Sequence, residues 1–247
     1  AVSPTELVEA HLQQIEARNP DLNAFVTVFA EQARAEARQR EHNLVRGEPL
    51  GMLHGVPVTV KDSFDVAGWP TRAGSHLRGT QPAARDAAAV AQLRREGAIL
   101  LGKTNTPELL ASYETDNFLT GRTNHPLDAE RTPGGSSGGS AAALAARMVP
   151  AATGTDTAGS LRIPSAICGT STIKPTRGLV PLRGVVPLSP SLDHAGPMAR
   201  TVMDAVMLLN AMAGSDPADP ASAEADAHKT DYVKALDAGA LKGKRLG

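Results

Sequence analysis

Hydrophobic residues recur at helical spacing near the start of the chain. Residues Ser3 to Glu6 supply an N-cap serine, a proline at the first helical position and a capping-box glutamate. The apolar positions that follow are Val8, Leu12 and Ile15. This pattern predicts a helix that ends at about Arg18, before Asn19-Pro20. A second helix is predicted over about residues 30–41, where Ala, Arg, Glu and Gln follow one another without Gly or Pro.

Short apolar runs further along the chain predict strands. The first is Val56 to Val60, and Lys61 stands directly at its end. The second begins with Ile99 to Leu101, after a helix that Asp86 is expected to cap. A third strand is predicted over Val149 to Thr153.

Three more helices complete the pattern. They are predicted directly after Pro107, over residues 141–148, and after a capping box at Thr201 to Asp204. Strands that alternate with helices are typical of α/β proteins. We therefore expect an α/β/α sandwich in which helices cover a mixed, twisted β-sheet, with the N-terminal helices outside and the functional loops at one edge of the sheet.

The composition is that of an ordinary globular protein. Of the 247 residues, 41% are hydrophobic, 21% are charged and only 3% are aromatic, so aliphatic side chains must fill the core. The formal net charge of -1 gives no overall field that would attract nucleic acid or an anionic membrane. We therefore expect a small-molecule substrate rather than nucleic acid or a membrane as partner, and we consider a homodimer as the assembly.

Location and completeness also follow as expectations. The chain has neither an apolar stretch of the roughly 20 residues that span a bilayer nor a basic-then-apolar signal pattern, so a cytoplasmic location is the default. Cys168 is the only cysteine, which excludes an intrachain disulfide and a thiolate metal cluster. The sequence stops at Lys244 to Gly247 in what looks like the start of a strand. We therefore expect a fragment of a longer protein.

Two loops rich in glycine and serine carry the candidate chemistry. They are Thr132 to Ser140 and Gly154 to Pro164, and a helix of small residues joins them. Glycines allow strained backbone conformations that turn N–H groups toward an anion, either a phosphate or an oxyanion. A phosphate loop needs a lysine followed by Ser or Thr after its glycines, and neither loop has one. The oxyanion alternative is therefore favoured over nucleotide binding.

A serine nucleophile needs a base that removes its proton, and a lysine can serve if burial keeps it neutral near pH 7. Lys61 is a candidate for that base because it ends an apolar strand. Backbone N–H groups around the second loop would hold the oxyanion that forms on attack. The candidate donors are those of Thr157, Ala158, Gly159 and Ser160.

Three blocks of the sequence together resemble the amidase signature family. They are Gly55 to Asp62, Gly134 to Ser140 and Thr155 to Pro164, and the likeness extends over nearly the whole chain. The resemblance implies the fold of that family, with residues 1–247 as the N-terminal and central part of its catalytic domain. It also implies hydrolysis of an amide, aryl amide or carbamate through a serine acyl-enzyme, including a urethanase-like activity, without a metal or an organic cofactor.

The resemblance also assigns roles to individual residues. It makes Ser160 the nucleophile, Ser136 a proton relay held by a cis peptide, and Lys61 the base. Ser137, Asp156 and Arg162 match positions around these residues, and for the last two a structural ion pair is an equal alternative. Many relatives carry two glycines before the nucleophile, whereas this chain has Ala158-Gly159. The extra methyl group is expected to narrow the oxyanion loop and to restrict positive φ.

Three alternatives stay open at this stage. A Ser-His-Asp hydrolase would use Asp193-His194, but adjacent residues seldom point at each other, and the chain lacks a Gly-x-Ser-x-Gly elbow. A glutaminase subunit of a tRNA-dependent amidotransferase would pass ammonia to a partner enzyme, although residues 62–68 look closer to stand-alone amidases. A non-catalytic binding module would require a broken triad. Which amide, urea or carbamate is cleaved stays undecided.

Overall fold

The structure is a computed structural model that describes residues 2–245. The α-helices of this part are α1 Pro4–Leu22, α2 Ala30–Val45, α3 Ala88–Arg95, α4 Gly138–Ala145, α5 Arg162–Cys168, α6 Val202–Met212 and α7 Ala225–His228. The strands are β1 Phe25–Val28, β2 Pro57–Lys61, β3 Ile99–Thr104, β4 Ala151–Asp156, β5 Ser171–Thr172 and β6 His194–Ala199. Short 3₁₀ turns lie at Glu108–Leu110 and Pro220–Ser222.

The strands form one mixed sheet in the order β1-β3-β2-β4-β6-β5. Strand β2 is parallel to both β3 and β4, and the outer pairs are antiparallel. Alternate residues of β3 belong to different apolar clusters, Ile99 and Leu101 to one and Leu100 to the other. The first cluster includes residues of α1, α2 and α4, and the second includes residues of α3 and α6. Helices therefore cover both faces, and the predicted α/β sandwich with a mixed sheet is confirmed.

Helix α1 has the predicted N-terminus but ends later than expected. The Ser3 hydroxyl accepts from the Glu6 N–H, and the Glu6 carboxylate accepts from the Ser3 N–H, which is the capping box. The helix continues through Pro20 to Leu22. Pro20 lies in the last turn, and there the Asn23 N–H donates to the Asn19 carbonyl at 2.7 Å. This bond closes the helix after the proline, so the prediction that it ends near Arg18 was wrong.

Two other predictions about helices were wrong. Asp86 does not cap α3, whose N-cap is Ala87, because its carboxylate accepts from the Ala67 N–H and pairs with Arg94 instead. After Pro107 there is only the 3₁₀ turn Glu108–Leu110, because left-handed backbone at Leu109 stops a helix from propagating. Strand β6 was missed because it contains Gly196-Pro197, a pair that ordinarily argues against a strand.

The topology brings the candidate residues to one place. Parallel neighbours β2 and β4 end at the same edge of the sheet, β2 at Lys61 and β4 at Asp156. The loop that contains Ser136 leads directly into α4, which contacts both strands. Ligand sites of α/β sheets ordinarily lie beyond the carboxyl ends of their strands. Among the helices of residues 2–245, none has the length and apolar character needed to cross a bilayer.

Candidate active site

Lys61 is the centre of the candidate site. Its side chain is fully buried, with 0% of its surface exposed, and its Nζ lies 2.6 Å from Ser136 Oγ and 2.8 Å from Thr155 Oγ1. Within residues 2–245, no carboxylate forms an ion pair with this amine. The predicted base and the predicted relay serine, 75 positions apart in sequence, are therefore in direct contact.

Burial lowers the pKa of Lys61 well below the ordinary value for lysine, although the charges of Asp156 and Asp193 act in the opposite direction. Removing a charged ammonium from water costs free energy, and a neutral amine avoids that cost. A neutral amine has a lone pair, so it can accept the Ser136 proton along the 2.6 Å contact. Lys61 therefore meets the physical requirement for a general base.

Ser136 and Ser137 are neighbours with different surroundings. The peptide bond between Gly135 and Ser136 is cis, as the resemblance implied, and Ser136 is 1% exposed. The Ser137 hydroxyl accepts from the Thr155 N–H and donates to the Thr155 carbonyl, both at 3.3 Å. Ser136 therefore faces the amine of Lys61, whereas Ser137 attaches the loop to β4.

Ser160 lies in the loop between β4 and α5, and the Asp156 carboxylate organises that loop. It accepts from the N–H groups of Gly159 at 2.9 Å and Leu161 at 3.1 Å, and it pairs with Arg162 at 3.0 Å. Burial works against ionisation of Asp156, but the hydrogen bonds from Arg162, Leu161 and Gly159 outweigh it and hold its pKa below the usual value. The structure therefore combines the two alternatives, because Asp156 forms an ion pair with Arg162 and also binds the N–H groups of the loop that contains Ser160.

The Ser160 hydroxyl is unpaired among residues 2–245, and in particular it forms no hydrogen bond with Ser136, the predicted relay. Ser160 is 5% exposed. In the same part of the chain, the N–H groups of Thr157, Ala158 and Ser160 have no acceptor, whereas that of Gly159 is taken by Asp156. Three of the four predicted oxyanion donors are therefore available. The fourth, the Gly159 N–H, is not available because it already donates to the Asp156 carboxylate.

The Ala158-Gly159 pair fits this loop without strain. Gly159 has φ +131°, and a Cβ at this position would lie 2.7 Å from Ile163 Cδ1, so a glycine is required there. Ala158 is not among the residues with positive φ. The expected restriction from the extra methyl group therefore does not arise, because only the second position needs the left-handed region.

Asp193 and His194 do not form a catalytic pair. The Asp193 carboxylate accepts from the Thr157 hydroxyl at 2.5 Å and from the N–H groups of Leu188 and Ser189. His194 Nδ1 lies 2.6 Å from the Leu192 carbonyl oxygen, and its Nε2 lies 3.1 Å from Lys174 Nζ. Because neither side chain reaches the other or Ser160, the geometry argues against the Ser-His-Asp alternative.

Thr155 was missed by sequence reasoning. The alternation of a strand puts Thr153 and Thr155 on one face of β4, where Thr153 Oγ1 accepts from the Lys61 N–H at 3.4 Å and Thr155 Oγ1 accepts from Nζ. Two threonines at alternate positions of a strand that otherwise contains Ala and Gly before its final Asp156 were the available signal. Thr155 therefore orients the amine of Lys61 toward Ser136.

A second buried lysine lies on the neighbouring strand and has a different environment. Lys103 Nζ is 2.7 Å from Asp62 Oδ1, and the two side chains are 0% and 6% exposed. Burial lowers the pKa of Lys103 and raises the pKa of Asp62, and the attraction between the two charges opposes both shifts. The Asp62 carboxylate also accepts from the N–H groups of Arg72 and Ala73. Lys103 Nζ also donates to the Thr71 hydroxyl at 2.9 Å, but the Asp62 carboxylate stabilises its ammonium form, whereas Lys61 has no such partner among residues 2–245.

Breaking this ion pair should destabilise the protein strongly. We expect Lys103→Met and Asp62→Asn each to lower the free energy of unfolding by about 3–5 kcal/mol, because each leaves a buried charge without its partner. Urea denaturation of the full protein measures the effect. The double variant should lose less than the sum of the two single losses, since it leaves neither charge behind. Strictly additive losses would show that the two side chains do not interact.

Metal chemistry has no evident ligand set in this part of the protein. Over residues 2–245, no group of three or more His, Cys, Asp or Glu side chains is arranged to hold a metal ion. Cys168 is buried, and burial raises the pKa of its thiol to about 12, so the thiolate form is disfavoured. The carboxylates at the ends of β2 and β4, Asp62 and Asp156, are each held in an ion pair, so the Lys61 amine and the serine hydroxyls are the groups left for chemistry there.

Comparison with known families gives one match over nearly all of the chain. The model of the Amidase family matches residues 6–247. The A subunit of glutamyl-tRNA(Gln) amidotransferase from Coxiella burnetii (strain Dugway 5J108-111) is 44% identical over 246 residues, which are 100% of this chain and 50% of that protein. The protein of the same name from Acidothermus cellulolyticus (strain ATCC 43068 / DSM 8971 / 11B) is 46% identical over 100% of this chain and 48% of its own length. The chain spans about half the length of these curated relatives.

Solved structures of amidases share the fold. The native peptide amidase of Stenotrophomonas maltophilia superposes with a TM-score of 0.91 at 40% identity, over 98% of this chain and 51% of that chain. A bacterial aryl acylamidase of the amidase signature family superposes with a TM-score of 0.83 at 38% identity, over 95% of this chain and 48% of that chain. The relatives by sequence are therefore named as A subunits of an amidotransferase, and the relatives by structure are named as a peptide amidase and an aryl acylamidase.

Proposed function

Since the chain belongs to the amidase signature family, we propose that the protein hydrolyses a carbon–nitrogen bond of the amide type through an acyl-enzyme on Ser160. The observation that carries the proposal is the contact between the fully buried Lys61 amine and the Ser136 hydroxyl at 2.6 Å, with no carboxylate paired to that amine within residues 2–245. A lysine held neutral in this way removes a proton, whereas a solvated ammonium cannot. The substrate of this reaction is a small-molecule amide, aryl amide or carbamate.

The reaction begins with a double proton transfer. Lys61 takes the proton of Ser136 along their 2.6 Å contact. The Ser160 hydroxyl, which is unpaired within residues 2–245, turns to Ser136 when substrate binds and gives up its proton to Ser136 as the Ser160 oxygen attacks the carbonyl carbon. The negative charge that develops on the carbonyl oxygen is stabilised by the free N–H groups of Thr157, Ala158 and Ser160. These donors need no reorganisation, because the bonds from Gly159 and Leu161 to Asp156 already fix the loop.

The same groups return the proton to the leaving group. Collapse of the tetrahedral intermediate breaks the carbon–nitrogen bond, and the amine leaves with the proton that passes from Lys61 through Ser136. Water then attacks the acyl-enzyme, gives up one proton to the relay and releases the acid and the Ser160 hydroxyl. The cycle consumes one water, returns every protein group to its starting state and requires no metal or organic cofactor.

The two neighbouring serines provide a matched test of the relay. We expect Ser136→Ala to lower kcat/KM by about 10²- to 10⁴-fold, the usual contribution of a positioned proton-transfer group. Ser137→Ala removes two hydrogen bonds to Thr155 and should lower the free energy of unfolding by about 1–3 kcal/mol, with a much smaller effect on rate. Steady-state kinetics and thermal unfolding of both variants distinguish these roles. Equal rate losses in the two variants would contradict the relay.

A second candidate function is the glutaminase step of an amidotransferase, in which ammonia from glutamine passes to a partner enzyme. The observation that favours it is the name shared by curated relatives at 43–46% identity, each of which is the A subunit of a glutamyl-tRNA(Gln) amidotransferase. The chemistry at Ser160 is the same for both candidates, so the described geometry is compatible with either.

One comparison separates the two candidates. The full protein is assayed alone for ammonia release from glutamine and for hydrolysis of simple amides, aryl amides and carbamates. Turnover of amides other than glutamine by the isolated protein supports the stand-alone amidase, and carbamate turnover would add a urethanase-like activity. Turnover of glutamine only, and only in the presence of partner proteins, supports the amidotransferase. No carbon–nitrogen hydrolysis under either condition would contradict the proposed reaction class.

A further inference from the structure

A cavity of about 370 Å³ adjoins the candidate active site beyond the end of β4. Thr155 and Thr157 form the wall nearest to the site, and Leu110, Val185 and Val186 form an apolar wall. No residue of the loop from Gly134 to Ser140 lines it. Since the leaving amine must take its proton from Ser136, the part of a substrate that enters this cavity is the part remote from Ser136, which is the acyl group.

The charged groups at this cavity are engaged by the protein. Arg183 pairs with Asp216 at 2.7 Å, and the Asp219 carboxylate accepts from the Leu182 and Ala221 N–H groups. The Asp193 carboxylate accepts from Thr157. Arg177 is exposed, and it donates to the Pro190 carbonyl. Apart from Arg177, which forms no ion pair among residues 2–245, these groups leave a mainly apolar surface for a ligand.

Unusual backbone geometry places Leu110 in the wall. Five non-glycine residues of the part from 2 to 245 have positive φ, and three of them, Ala73, Leu109 and Leu110, lie together. Ala73 and Leu110 also form one small apolar cluster with Val186. A left-handed leucine is a true outlier, which costs about 1–3 kcal/mol and persists only where the surrounding structure fixes it. Of the two consecutive outliers, Leu110 lines the cavity that Thr155 and Thr157 border, and backbone strain of this kind is concentrated at functional sites.

The neighbouring segment that fixes this turn is tied to the catalytic strand. The Leu109 N–H donates to the Ala73 carbonyl at 2.8 Å, and the Ala73 N–H donates to the Asp62 carbonyl at 3.0 Å. Gly74, with φ +64°, lets the two segments approach so closely that a Cβ there would lie 2.7 Å from the Thr106 carbonyl oxygen. Leu110 is therefore held at a fixed position relative to Lys61, which directly precedes Asp62.

We propose that Leu110 is a specificity-determining residue: with Val186 it forms the apolar wall of the acyl pocket and limits the size of an uncharged acyl group. The inference rests on the proposed hydrolysis at Ser160 and names the class of substrate for that site. The protein thus prefers amides whose acyl part is aliphatic or aromatic, uncharged and small enough for the cavity. Leu110 contacts the acyl group and takes no part in proton transfer.

The test uses p-nitroanilides with acetyl, butyryl, hexanoyl and benzoyl groups as probes of the full protein. Leu110→Ala should raise the ratio of kcat/KM for hexanoyl over acetyl substrate by about tenfold or more, the usual discrimination of an apolar pocket. Leu110→Trp should lower that ratio. Val186→Ala should act in the same direction as Leu110→Ala. It keeps the proposal testable if the left-handed backbone at Leu110 accepts no other residue. Ratios are independent of the fraction of folded enzyme, so a loss of stability does not imitate the effect.

Two controls show whether a change in the substrate ratio arises at the acyl pocket. Leu22 is as buried as Leu110, 5% exposed against 4%, but it belongs to the apolar cluster that includes residues of α1, α2 and α4. Leu22→Ala should therefore leave the ratio unchanged. In a second series the acyl group is constant and the amine varies, and Leu110→Ala should leave that preference unchanged. Labelling of Ser160 by a fluorophosphonate, with acyl preference unaltered in both Leu110→Ala and Val186→Ala, overturns the specificity role and leaves the proposed function standing. A change of preference that appears only in the amine series also overturns the specificity role. If Ser160 is not labelled and no substrate is turned over, both the specificity role and the proposed function are overturned.

Discussion

Ser160→Ala is expected to lower kcat/KM by about 10⁴- to 10⁶-fold, the loss seen when a serine nucleophile is removed. The hydroxyl forms no hydrogen bond with residues 2–245, so its removal leaves no buried partner unsatisfied. The loop around it is fixed by Asp156 and Arg162, which the substitution does not touch. We therefore expect the variant to fold normally and to be inactive, as measured by steady-state kinetics and thermal unfolding.

A serine in the next helix supplies the control for this prediction. Ser165 is also buried, at 3% exposure, and its hydroxyl has no hydrogen-bond partner among residues 2–245. Ser165→Ala should retain activity. Treatment with a fluorophosphonate followed by intact mass measurement and peptide mapping should place the adduct on Ser160 in the wild type and in Ser165→Ala, and give none in Ser160→Ala. Substantial activity in Ser160→Ala would show that another group is the nucleophile.

Loss of the base should be nearly as damaging. We expect Lys61→Ala and the more bulky Lys61→Met each to lower kcat/KM by about 10³-fold or more, because neither side chain can accept the Ser136 proton. Fluorophosphonate labelling of Ser160 should become correspondingly slow. Kinetics and labelling rates of both variants measure the effect, and Lys61→Met controls for the empty space that alanine leaves.

The pH dependence of kcat/KM tests whether Lys61 is the base. Since burial lowers the pKa of Lys61, the amine is neutral over part of the range in which a solvated lysine is charged. Protonation on the acidic side removes its lone pair, so kcat/KM of the wild type should fall as pH decreases through the lowered pKa. The residual rate of Lys61→Met should lack that fall. An identical acidic limb in both proteins would assign the titration to a different group.

The same shift has a consequence for stability. Between the lowered pKa of the folded state and the ordinary value near 10.5, the unfolded chain binds a proton at Lys61 that the folded protein does not. The contribution of Lys61 to the free energy of unfolding must therefore rise with pH across this window. Lys61→Met should make the dependence of Tm on pH flatter there, which thermal unfolding at several pH values measures independently of activity.

Much of the fold could be predicted from local patterns. The helices that begin at Pro4 and Val202 were identified from their caps, and the helix that begins at Ala30 from its composition without Gly or Pro, because those signals are local and physical. The strand at Pro57–Lys61 was identified as an apolar run between turns. Strand β6 and the true course of residues 107–110 were missed because their conformations depend on neighbouring strands and on the Ala73 turn. Long-range contacts that override local preference are not visible in a sequence window.

Three residues of the candidate site were named from the sequence, but two interactions that shape the site were not. The sequence named Lys61, Ser136 and Ser160 through blocks that resemble one family. It did not show that the Gly159 N–H is occupied by Asp156, or that Thr155 orients the lysine. Both depend on how the loop closes over the end of β4. The roles of the three named residues stay predictions until the variants are measured.

The sequence by itself determined the α/β class, the family and the residue types with chemical capacity, because these depend on composition, periodicity and motifs that are local in the chain. Only the tertiary structure decided which of two buried lysines is free. Asp62 follows Lys61 directly, yet its carboxylate pairs with Lys103 on the neighbouring strand. Successive residues of an extended chain point to opposite sides, so adjacent side chains at the end of β2 meet different partners. Burial then leaves one lysine in an ion pair and places the other, whose pKa it lowers, against Ser136 without a carboxylate partner among residues 2–245.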